Sequence, residues 1–383
     1  MTELCVHAPE GLAEGAVAEV LAIAERSLAG LGALKLPLPN PDTPRGGDGR
    51  LDIYLSGSDR ATAHGDPGSA GTGFDSATAF VVAPARAPVG CTDAQAIADA
   101  VSRTSLLGLD AALEPSALGM LAGHAATILE PCTVAEQAEV GAAQSAPERT
   151  FLGAYGESAP ASFLFPKFLE DKYGTGEPGK LTFALAGIAA QRSGAGPLVD
   201  EPDAFDALRL TQQRNGTSIA DTLLGLAVAR AFVGSRSDET QMIDVAKYGD
   251  FGRVRFEWAV KHESLPRRLA QTRPVEPLGA TYLWLDLEKA KENAEVTFIF
   301  EWEEPVAFRW AIVKVDAQGS PMATFEVVPV LGQTKIEKTV RDLSGARGLV
   351  IVGLNEGEGR RDEPFDPGRR REPPHGWVVS LYP

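Results

Sequence analysis

Histidine, cysteine and paired carboxylates are the side chains that hold metals, move protons or act as nucleophiles, and this chain is sparing with the first two. Its five histidines, His7, His64, His124, His262 and His375, are scattered, and its three cysteines are Cys5, Cys91 and Cys132. No HExxH, no CxxC pair and no His/Cys cluster offers zinc ligands at helical or short-loop spacing. His124, in "GMLAGHAATIL", has Met120 and Ile128 one turn away on either side. Neither is a zinc ligand, so the spacing predicts a partly buried helix histidine. Cys5 and His7, in "ELCVHAPE", are two apart, which on a strand turns both side chains to one face. A thiol enzyme also needs a third group to orient its base, and none is assignable here.

Other motifs are equally thin. There is no G-x-S-x-G elbow, and "GES" (156–158) and "SGS" (56–58) read as turns. "GTG" (71–73) lacks the GK[ST] ending of a phosphate loop. "PRGGDGRLD" (44–52) resembles a calcium loop, but only Asp48 and Asp52 are placed to contribute and the twelfth-position Glu is missing. Of Glu301, Glu303 and Glu304, the first and second share one strand face, which reads as the solvent side rather than a glycosidase dyad.

The elements that would position these residues follow from periodicity. "LCVH" reads as a strand, and Val17, Leu21, Ala24, Leu28 and Leu31 form the apolar stripe of a helix lying on a sheet. "LDIYLSG" alternates as a one-sided strand, "ATAHGDPGSAGTGFDS" is a glycine-rich turn region, and "ATAFVVAP" is a buried strand. Two helices follow, at about 92–112 and 115–130. Cys91 and Cys132 flank this pair, whose outer ends meet if the helices are antiparallel. They are either bridged, which would stabilise by about 4 kcal/mol and imply an oxidising compartment, or two buried thiols.

At 383 residues the chain is long enough for two or three domains. The pattern divides it into an α/β segment (1–145), a mainly helical segment (146–272) and an immunoglobulin-like β-sandwich (273–383), an α+β fold. The last segment carries seven short, β-branched and aromatic runs with turns about every ten residues. Fifty-two acidic against 36 basic residues give a net charge of −16, which argues against nucleic-acid binding. No run approaches the roughly 18 apolar residues of a membrane span. "MTELCVHAPEG" lacks the basic and apolar regions of a signal peptide. Either the protein is cytoplasmic, or this is a mature form with a new initiator Met.

The order of parts carries more than any motif. "GGDGRLDIYL", a strand ending "FVVAP", a Cys, two helices, "FLFPKFLEDKYG" and a terminal β region opening "PLGATYLWL" together resemble secreted bacterial zinc metallopeptidases of the gluzincin type with an appended β-sandwich. The resemblance covers nearly the whole chain. It implies a zincin-like first segment whose first paired helix carries HExxH and whose second carries a glutamate ligand. Overlaid here, HExxH falls on Ser102, Arg103, Thr104, Ser105 and Leu106, and the glutamate on Gly123, one residue before His124. The implied protein is a degenerate member: no zinc, no other cofactor, no peptidase activity, and a secreted, periplasmic or surface role in binding a protein or peptide. The alternatives are a hydrolase with acidic residues in the cleft beside helices 92–130, and a structural subunit of a surface assembly.

Overall fold

The alternation of Leu51, Ile53 and Leu55 with Asp52 and Tyr54 sorts one strand's side chains onto two faces, and a small sheet is built around it. The computed structural model describes residues 4–41, 48–66, 76–88, 90–111, 113, 115–150, 163–190, 204–214, 216–291, 294–303, 308–330, 332–357 and 373–383. The "GES" and "GTG" turns, Glu304 and most of the charged loop before the last strand lie outside these residues. The chain is mixed α+β and gathers into two compact units. Met1–Ala138 and Gly153–Asn215 belong to the first, and Glu139–Leu152 and Gly216–Arg361 to the second, which also takes Arg369–Pro383. The expected helical segment 146–272 is therefore shared between them.

In the first unit, β1 (Leu4–His7) is separated by α1 (Glu14–Ala33) from its neighbour, β2 (Leu51–Ser56). The glycine-rich turn region opens instead with a strand, β3 (Thr62–Asp66), which pairs antiparallel with β4 (Thr78–Pro84). The order is β1-β2-β4-β3, with β1, β2 and β4 parallel. Leu51, Ile53, Leu55, Ala79, Val81 and Ala83 are buried. Their face of the sheet is the one covered by α2 (Gly90–Leu109), since a Cβ at Gly65 of β3 would stand 3.1 Å from Leu107. α1 buries Ala16, Val20, Ile23, Ala24, Ser27, Leu28 and Leu31. The stripe is turned from the expected one, leaving Val17 and Leu21 half-exposed, because alanine and serine also serve at a close helix contact. α3 (Pro115–Leu129) packs on α2, followed by α4 (Thr133–Ser145), whose first turn belongs to this unit; α5 (Leu164–Tyr173) packs on α3, α6 (Lys180–Ala189) on α5, and α7 (Ala204–Arg214) on α6.

The second unit opens its main run with α8 (Ile219–Arg230). Ser218 accepts from the Asp221 amide while the Asp221 carboxylate accepts from the Ser218 amide, a reciprocal cap. Short strands β5 (Trp258–Lys261) and β6 (Arg267–Ala270) precede the seven expected ones: β7 (Ala280–Asp286), β8 (Val296–Trp302), β9 (Phe308–Val315), β10 (Pro321–Val327), β11 (Lys335–Val340), β12 (Gly348–Asn355) and β13 (Trp377–Tyr382). They form two sheets, β10-β9-β12-β7-β5 and β11-β8-β13-β6, so the sheets start before residue 273. Both contribute to one core: Leu283, Trp310, Ile312 and Ile351 from the first, Val296, Phe298, Phe300, Trp377 and Val379 from the second. β8 shows the cause, with Val296, Phe298, Phe300 and Trp302 buried at every second position. Glu301, on the opposite face, pairs with Lys335 and Arg268, as a solvent-side carboxylate should.

Glu148 ties the start of this unit to its strands. Its carboxylate accepts from Arg255 Nη2 at 2.7 Å and Arg273 Nη1 at 2.9 Å. Burial alone would raise its pKa, but hydrogen bonds from Arg273 and Arg255 hold it below the ordinary value of 4.5. A depressed folded pKa gives stability that is complete above the unfolded value and is lost as pH falls through the folded one. Glu148→Gln is expected to cost about 2 kcal/mol at pH 7. Its deficit should shrink below about pH 4.5 in urea titrations followed by tryptophan fluorescence.

Candidate functional site

The helix pair α2–α3 is where the resemblance requires a metal. Asp99 and Arg103 are four apart on α2 and form an ion pair, Arg103 Nε to Asp99 Oδ2 at 2.7 Å. The opposing helix offers glycines at the same spacing. A Cβ at Gly119 would stand 3.4 Å from Arg103 Nη2, and one at Gly123 would stand 4.0 Å from Asp99 Oδ1. The ion pair therefore packs against the glycine face of α3, and at Gly123 the Cβ of Phe163 is nearer still, 3.8 Å from where a Cβ would stand. Of the four positions expected from the sequence, Arg103 and Gly123 are brought to this spot. Ser102 and Leu106 are fully buried, and the Ser102 hydroxyl donates to the Ala98 carbonyl at 2.8 Å. A guanidinium, a committed hydroxyl, an isobutyl group and a bare backbone do not fit zinc, which needs three or four N, S or O donors. The sequence reading missed Asp99, although its i, i+4 spacing to Arg103 was visible.

His124 lies deeper than the partly buried position expected of it. It is 5 % exposed, its ring centroid is 6.2 Å from that of Phe183, and neither ring nitrogen has a hydrogen-bond partner among the described residues. Burial, helped by the nearby charge of Lys167, pushes its pKa down to about 3. A histidine held neutral across the physiological range, with no partner on either nitrogen, is not poised as an acid or base.

Cys91 and Cys132 are joined in a disulfide, with Cα atoms 5.3 Å apart. Next to it, Glu136 is 1 % exposed, accepts from the Cys132 amide at 3.2 Å and faces the Gln95 amide at 3.4 Å. The bridge and this buried carboxylate anchor the start of α4 to the start of α2.

A different cluster lies on the sheet face opposite α2. Cys5 and His7 do share that face, and the parallel register places Asp52 of β2 opposite Cys5. His7 Nε2 is 2.8 Å from Asp52 Oδ1, and the Tyr54 hydroxyl donates to Asp52 Oδ2 at 3.2 Å. Asp52 thus supplies the orienting third group that the local sequence lacks. It also takes Asp52 out of the calcium-like loop, whose other acid, Asp48, binds Arg50 Nε at 2.9 Å. One donor atom each from Cys5, His7 and Asp52 lie within 4.8 Å of one another. His7 stacks on Tyr54 at 4.5 Å, Tyr54 meets Phe80 edge-on at 5.6 Å, and Phe80 stacks on His64 at 5.3 Å, so aromatic rings run across all four strands.

No family model matches the chain, and no curated protein matches it. Among solved structures, it is similar to the pre-peptidase C-terminal domain of collagenase from Bacillus anthracis, with 8 % identity, 33 % of this chain and 96 % of that one covered, and a TM-score of 0.22. It is also similar to the enzymatically active domain of tailspike protein 4 of bacteriophage CBA120, with 12 % identity, 31 % of this chain and 16 % of that one covered, and a TM-score of 0.21. No helix among the described residues is long and apolar enough to cross a membrane.

Proposed function

We propose that the chain is a non-catalytic relative of zinc metallopeptidases, a zincin-like α/β unit joined to an immunoglobulin-like β-sandwich, acting outside the cytoplasm by binding a protein or peptide. The observation that carries this reading is that Ser102, Arg103 and Leu106 stand where the resemblance puts HExxH and Gly123 where it puts the glutamate ligand, with Arg103 committed to an ion pair with Asp99. The oxidised Cys91–Cys132 pair supports an oxidising compartment, since such bridges are rare in reducing cytoplasm. The edge strand β10 supports a binding role. Met322 is 48 % exposed on it, and Val328 and Val330, just past its end, are exposed as well. An extended peptide can add to such an edge through main-chain hydrogen bonds. The test is hydrolysis of unfolded casein and of a random peptide library, with zinc supplied and with chelator. No chelator-sensitive cleavage is expected. Cleavage that chelator abolishes and that Asp99→Ala or Arg103→Ala removes overturns the proposal.

A further inference from the structure

From the juxtaposition of Cys5, His7 and Asp52 on the open face of the small sheet, we infer a divalent transition-metal site, selective for zinc over calcium and magnesium, with one coordination position left to solvent. Three observations converge on it. First, the donors form a thiolate–imidazole–carboxylate set, which suits a borderline ion such as zinc, whereas calcium and magnesium take oxygen ligands. Second, two donors come from one strand at i, i+2 and the third from the adjacent strand in register, so a rigid sheet holds them rather than a loop. Their donor atoms all lie within 4.8 Å of one another, near the roughly 3.5 Å separations of a tetrahedral site. Third, Asp52 is 2 % exposed while Cys5 and His7 are half-exposed, so the site has a buried wall and an open mouth.

The surroundings are those of a metal ligand set. Tyr54 holds the outer oxygen of Asp52 and stacks against the His7 ring, fixing two ligands with one side chain. Arg50 lies within electrostatic range of Cys5 and Asp52, but its charge is matched by its own partner, Asp48. Cys5 is also left as a free thiol in a chain whose other two cysteines are oxidised to a disulfide. Ligation to a metal protects such a thiolate from oxidation and exchange.

The experiment is titration of metal-free, full-length protein with cobalt(II), followed by displacement with zinc. The expected result is a thiolate-to-cobalt charge-transfer absorption saturating at one equivalent and lost on adding zinc, with the Cys5 thiol protected from alkylation. Cys5→Ser should abolish the absorption. Loss of the His7 ligand in His7→Gln should weaken zinc binding by about 100-fold or more, and Tyr54→Phe by about 10-fold while the absorption remains. Absence of the absorption from wild type, or its persistence in Cys5→Ser, overturns the site. Asp99→Ala should leave the titration unchanged, so the outcome is independent of the proposed loss of peptidase chemistry.

Discussion

Between pH 7 and pH 4.5 the wild-type first unit should lose about 3 kcal/mol more stability than a His124→Leu variant. The sign follows from burial. The folded pKa of His124 is about 3 against an ordinary 6.5, so below pH 6.5 only the unfolded chain takes up the proton. A group whose folded pKa is depressed contributes stability that is complete above the unfolded value and is lost as pH falls toward the folded one. Over two pH units the loss is about 1.4 kcal/mol per unit. Leucine matches the volume and removes two ring nitrogens that have no partner among the described residues, so the variant should be no less stable at pH 7. The transition must be followed by far-ultraviolet circular dichroism. All five tryptophans, at 258, 284, 302, 310 and 377, lie in the second unit, whose fluorescence reports on itself. Equal acid sensitivity in both proteins would mean that His124 is protonated in the folded state.

Replacing Cys91 and Cys132 by serine should cost the first unit about 4 kcal/mol. The bridge joins residues 41 apart in sequence, and closing a loop of that length removes much of the unfolded chain's freedom. Cys132 is 1 % exposed, so the serine hydroxyl would also be buried beside Glu136, adding to the cost. The helical transition should shift strongly to lower denaturant while the tryptophan transition stays where it was. A shift of both together would show that the two units unfold as one.

What the sequence displayed was local and periodic. The seven C-terminal strands were legible because buried and exposed side chains alternate along them, as Val296, Phe298, Phe300 and Trp302 do. The helix pair was legible from its apolar spacing, and the Cys91–Cys132 bridge from the cysteines' positions at its ends. β3 was hidden because Thr62–Asp66 has small and polar residues at an exposed sheet edge, where pairing with β4, not hydrophobic pattern, makes the strand. β5 and β6 were hidden by their length of four residues each. The Cys5–His7–Asp52 cluster needed a fact that no local pattern holds, the parallel register of β1 on β2 across 45 residues of chain. In α2 the difficulty was choice rather than distance: Asp99 and Arg103 carry the one ion pair that a helical reading would have found, but the overlay of the peptidase motif drew attention to Ser102 and Leu106.

A non-catalytic relative of the zinc peptidases must hold no zinc at its α2–α3 pair. Because a metal site is inferred at Cys5, the decisive measurement is the zinc content of the Cys5→Ser chain after it has been offered zinc and freed of excess, read by plasma mass spectrometry. The expected value is far below one zinc per chain. One zinc per chain that disappears on adding Asp99→Ala would contradict the account and return the helix pair to catalysis.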